Sequence, residues 1–218
     1  DAELPGGGWP TASLSEILMP QPSTVEWRIV GPAVRAIVAQ KRQVVLIAPP
    51  KHPHLPGLLH EGLDQRHLVW IKAEAPADRL WVAEQLIKSH AAGAVLAWLP
   101  QARQEQIRRL QIHAQGGEGL CFLFRPEAAQ HEASAAPLRV HVRHSLDWEL
   151  QVSILKRRGP THDGVLSLPS VPGGLSAIIT PRLARPSRLL PVRESFHVVV
   201  CTDRSVTSIS AGNQISVS

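Results

Sequence analysis

The chain has no tyrosine, three phenylalanines, one methionine and two cysteines in 218 residues. Each scarcity removes a class of protein. Cys121 and Cys201 cannot make a disulfide framework, and their rarity fits a reducing, cytoplasmic setting. With few flat rings there is little basis for a stacking platform on single-stranded nucleic acid. No apolar run reaches the 18 or so residues that would span a bilayer, so no membrane partner is expected. The start carries no signal-peptide pattern. The chain opens on Asp1 and reaches Gly6–Trp9 almost at once, which reads as a fragment lacking an N-terminal helix or linker.

What is present is an alternation of apolar strands and amphipathic helices. Strands are expected at 14–18, 43–48, 68–72, 93–99 and 119–124. Helices are expected at 24–40, near 55–62, and at 76–90 and 101–115. Strands this uniformly apolar belong to a sheet covered on both faces, with right-handed helical crossovers. After Pro126 the pattern changes: 137–144 and 147–157 alternate apolar and charged, as in an antiparallel hairpin extending the sheet. The reading is α/β, with a mostly parallel sheet, helices on both faces and an antiparallel extension near the C-terminal end. Residues 1–159 form the domain; 160–218, broken by six prolines as far as Pro191, form an irregular arm and tail.

The segment after the first strand has the setting of a phosphate-binding P-loop: strand, tight turn, helix start. Such a loop needs glycines so that main-chain N–H groups can close on phosphate, a lysine for the β/γ-phosphates and a hydroxyl for Mg²⁺. Here the turn is Met19-Pro20-Gln21-Pro22-Ser23-Thr24-Val25-Glu26. It has no glycine or lysine, its two prolines lack N–H donors, and Glu26 would put a negative charge beside a triphosphate. Ser23 or Thr24 reads as the cap of the following helix. Two further strands that would supply carboxylates end instead in Ala48-Pro49-Pro50 and Trp98-Leu99-Pro100. Three parts of a phosphoryl-transfer site are therefore missing. No enzymatic activity, nucleotide or other cofactor is expected.

Other candidates have structural competitors. Lys156-Arg157-Arg158 can contact phosphates or an acidic partner, or be a solvated strand end; the sequence leaves both open. Trp9, in a glycine-rich turn, either packs on the domain or enters a partner contact, with packing favoured. Trp70 and Trp98 lie in strand runs and read as core, whereas Trp81 reads as core or interface. Arg103, Arg108 and Arg109 read as a solvated helix face. His52, His54, His60 and His67 lack a recognised ligand frame, so no metal is assigned. Ser15, Glu16 and His113 form no nucleophile–base pattern, and no G-x-S-x-G elbow exists. Cys121, mid-strand, reads as buried and inert. The excess of 23 Lys+Arg over 18 Asp+Glu permits weak DNA contact without demanding it.

Leu4-Pro5-Gly6-Gly7-Gly8-Trp9-Pro10 followed by Leu14-Ser15-Glu16-Ile17 resembles the RecA family, in which a Gly-Gly-x-Pro turn leads into the strand before the P-loop. It more closely resembles the RecA-like ImuA family of translesion-synthesis accessory proteins, to which the SOS cell-division inhibitor SulA is related. Leu155-Lys156-Arg157-Arg158-Gly159 and the order of elements over residues 1–170 are similar too. The resemblance implies a degenerate RecA-like domain acting as a non-catalytic adaptor in SOS mutagenesis. Its implied partners are RecA, an inactive Y-family polymerase and an error-prone replicative-type polymerase. The alternative is a SulA-type inhibitor that binds the tubulin-like division protein.

Overall fold

The computed structural model describes residues 3–185, apart from 5, 23, 24, 53, 172–174 and 176. Residues 1–188 belong to one compact unit. At its centre is an eight-stranded sheet of order β3-β2-β4-β5-β1-β6-β7-β8. The strands are β1 (Ser13–Met19), β2 (Val44–Ile47), β3 (Leu68–Ile71), β4 (Ala94–Trp98), β5 (Leu120–Pro126), β6 (Leu138–His144), β7 (Glu149–Lys156) and β8 (Val165–Pro169). Pairing from β3 through to β6 is parallel; β7 runs antiparallel to both its neighbours. The mixed α/β architecture and its antiparallel extension thus follow the sequence pattern.

Four helices connect the parallel strands: α1 (Glu26–Ala39), α2 (Leu55–His60), α3 (Pro76–Ser89) and α4 (Gln104–Ala114). They divide between two faces because strand side chains alternate. Along β4 and β5, Leu96, Trp98, Phe122 and Phe124 join the cluster under α1 that contains Val30, Val34 and Ile37. Their neighbours Val95, Ala97, Cys121 and Leu123 join Ala83, Ile87, Ile107 and Leu110 of α3 and α4. Gly93 admits α1 to this layer: a Cβ there would lie 2.5 Å from Ile37 Cγ2.

Two features depart from the sequence reading. Trp70 is not core; it is 39% exposed on β3, the edge strand of the sheet. β8 lies within the segment assigned to the arm, where it pairs with β7 from Glu149↔Pro169 to Ser153↔Val165. The tail beyond residue 185 lies outside the described residues.

Candidate functional site

The turn after β1 stands where a phosphate loop would be, and its chemistry is inverted. β1 ends in buried Met19, and α1 begins at Glu26 with Val25 as cap residue, without a side-chain capping bond. The helix therefore starts later than a Ser23 or Thr24 cap would place it; both residues lie outside the described ones. Pro20, Gln21 and Pro22 face solvent. Glu26 does not face a ligand space. It is buried, its Oε1 accepts from Trp98 Nε1–H at 2.9 Å, and its Oε2 accepts from the Val25 N–H at 3.2 Å. Trp98 in turn stacks on Phe124 with ring centroids 4.6 Å apart. A buried carboxyl group and an indole are thus paired at the start of α1, where a phosphate-binding helix start would carry free amides.

Beside this closed position lies a cleft of about 400 Å³ at the C-terminal ends of the parallel strands. Open α/β sheets bind ligands at this end. Pro22, Pro49, Pro50, Pro100 and Pro126 line it, so five of its wall positions have no main-chain N–H to offer an anion. Trp70, Trp98 and Phe124 add apolar rings. The walls suit apolar contact and not a phosphate cradle.

The centre of the sheet holds a second polar feature that sequence reasoning missed. Glu16 of β1 is fully buried between two arginines. Its Oε1 accepts from Arg125 Nη1 at 2.8 Å and its Oε2 from Arg139 Nε at 2.7 Å. Register explains the meeting: Glu16 is opposite Arg139 on β6 and Leu123 on β5, which places Arg125 two residues further along the same face. Arg125 Nη2 also donates to Glu132 at 2.6 Å, and Arg139 Nη2 to the Ala129 carbonyl at 2.8 Å. Burial works against the Arg125 charge, but the Glu16 and Glu132 carboxylates outweigh it and raise the pKa above the ordinary arginine value. On the solvent side of this group His141 lies 3.1 Å from Glu127, and Arg143 reaches the same carboxylate at 3.4 Å. The available signal was a charged residue in a fully buried strand of serines and apolar residues, and an arginine in each of the two strands that turn out to flank it.

The basic and aromatic residues singled out from sequence do not converge. Trp9 packs edge-on against Phe122, centroids 5.1 Å apart, which is the structural role favoured for it. Lys156 Nζ donates to the Ser134 carbonyl at 2.9 Å. Arg157 donates to the carbonyls of Pro160 and Glu3, both at 2.6 Å. Arg158 is exposed. On the helical face Arg109 and His113 of α4 meet Glu84 of α3, at 2.9 and 3.3 Å. Burial pushes the Cys121 thiol up to about 12. His54 caps α2 by accepting from the Gly57 N–H, and His52 lies edge-on to Trp70. No group of three potential metal ligands occurs among the described residues. No helix among them is long and apolar enough to cross a membrane.

Two curated relatives match the chain, and both are named for one activity. The cell division inhibitor SulA of Photorhabdus laumondii is 27% identical over 122 residues, covering 54% of this chain and 69% of that protein. SulA of Pectobacterium atrosepticum is 26% identical over 121 residues, covering 55% and 72%. The chain is similar to cell division inhibitors. A crystal structure of SulA from Pseudomonas aeruginosa superposes with a TM-score of 0.45 at 22% identity, covering 54% of this chain and 99% of that one. No protein-family model matches.

These relatives overturn the ImuA expectation. They point to the SulA side of the resemblance, and with it away from translesion synthesis and from RecA and the two polymerases as partners. The structure shows why the motifs misled. Trp9 is packed on Phe122, and Lys156 and Arg157 are tied to nearby carbonyls.

Proposed function

We propose that this chain is a SulA-type inhibitor of cell division, induced in the SOS response, that acts in the cytoplasm by binding the tubulin-like division protein and blocking its polymerisation. One observation carries the reading: two relatives, each matched over more than two thirds of its own length, are both named cell division inhibitors. The site agrees with a binding function. A RecA-like scaffold, with its doubly wound parallel sheet, would retain the strand–turn–helix of a nucleotide-binding protein. With Glu26 and Trp98 closed on the turn, it acts without nucleotide or turnover.

The test is to titrate the purified chain into the polymerising division protein and follow light scattering and sedimentation. Near-stoichiometric loss of polymer is expected, and undiminished polymer at excess chain would sink the proposal. Calorimetry with ATP up to millimolar concentration should give no binding heat. Micromolar binding would mean that the turn at 19–26 opens and that the chain works with a nucleotide.

A further inference from the structure

The proposed inhibition assigns no role to the cleft at the C-terminal ends of the strands, whose lining has a definite chemistry. Its apolar walls are the five prolines together with Trp70, Trp98 and Phe124. Its rim is cationic. Lys51, Lys72 and Arg79 line it against the single carboxylate of Glu74, so the rim carries three positive groups to one negative. Glu74 pairs with Lys72 at 3.5 Å, and both side chains are largely in solvent, where such a pair is weak. Arg79 is fixed by its Nε, which donates to the Ala73 carbonyl at 2.9 Å. Arg125 also lines the cleft; its side chain is 2% exposed, yet its Nε has no hydrogen-bond partner. A buried N–H left open is costly and marks a place where an acceptor belongs.

We propose that this cleft binds a small aromatic anion: a planar apolar ring system bearing one acidic group. The ring would lie among the tryptophans and prolines. Trp70 is already half-exposed there, with the His52 ring edge-on at 4.4 Å. The acidic group would lie toward the lysines and Arg79. A volume of about 400 Å³ suits one or two fused rings, at the small end of the range of roughly 300–1,000 Å³ for ligand pockets. A nucleoside triphosphate does not fit this chemistry, because the amides that would hold its phosphates are replaced by prolines. Such a ligand is independent of the inhibitory reading, since the cleft would bind it whatever the chain's protein partner.

Naphthalene-1-sulfonate is the probe, followed through the six tryptophan indole N–H signals in NMR and assigned by single Trp→Phe variants. Saturable shifts at Trp70 and Trp98, with Trp81 unmoved, are expected. The exposed double variant Lys51→Glu/Lys72→Glu should keep the native spectrum and bind at least about tenfold more weakly. Neutral 1-naphthalenemethanol should bind the native chain more weakly by a similar factor, since a charged partner adds on the order of one tenfold step. Non-saturating shifts, or shifts that include Trp81, would show general surface adhesion and overturn the site. Equal affinity for the neutral probe, or an unweakened double variant, would overturn the anionic half of the proposal.

Discussion

Two buried glutamates stand ten positions apart, and the chain treats them in opposite ways. Glu16, in the middle of β1, is met by cations from both flanking strands. Glu26, at the first turn of α1, is met by an indole N–H and a main-chain N–H. The first arrangement joins three strands through charge. The second joins the start of a helix to the end of β4 through a hydrogen bond from a neutral indole donor. The difference teaches that a buried carboxyl group can either cement a sheet or close a site, and that the partner type decides which.

The largest effect should come from breaking the first arrangement. Glu16→Ala leaves Arg125 and Arg139 buried without their shared anion, and removing one partner of a buried ion pair costs about 3–5 kcal/mol. Urea unfolding should show that loss, whereas Glu16→Leu combined with Arg125→Leu and Arg139→Met should recover most of it. A single variant as stable as the native chain would contradict the cementing role. A smaller effect is expected at the closed turn. Trp98→Phe keeps an aromatic ring against Phe124 but removes the donor to Glu26, which should cost about 1–3 kcal/mol. Glu26→Gln keeps an acceptor and should cost less. If the two variants cost the same, the indole bond is not what holds the turn.

The smallest effect concerns pH. His144, at the end of β6, has its pKa lowered below the ordinary 6.5 by desolvation and by the nearby Arg28, with Glu26 opposing. The unfolded chain therefore takes up this proton first. The native state keeps the full contribution above 6.5 and loses it as pH falls through that value toward the lower folded pKa. Stability measured from pH 8 to pH 5 should fall less in His144→Gln than in the native chain. Parallel profiles would remove His144 from the account.

Much of this architecture was readable from residues. The uniformly apolar 93–99 and 119–124 became the buried strands β4 and β5, and the switch to alternating charge after Pro126 became the β6–β7 extension. That the turn at 19–26 holds neither glycine nor lysine was also plain in the sequence. What escaped depended on neighbours in space. Trp70 looks like Trp98 in sequence, but one lies on an edge strand and the other near the centre, and strand order is not written in periodicity. β8 is a mostly exposed edge strand that lacks the apolar run of the buried strands, so only its pairing with β7 marks it. Glu16 could be seen as odd in its strand, but its arginines are 109 and 123 residues away in the chain. The ImuA reading rested on two short motifs, and the relatives that match over more than 120 residues are named SulA instead.

The link between Glu16 and Arg139 has a consequence for how such a chain can be divided. β6 is the first strand of the extension, and it supplies one of the two cations that balance a charge inside the parallel core. A fragment ending before β6 would keep five parallel strands and their helices, yet leave Glu16 on the new edge strand β1 with one of its two arginines gone. The extension is thus no detachable module. Cutting the chain before β6 therefore changes the surroundings of position 16 as well as the length of the sheet.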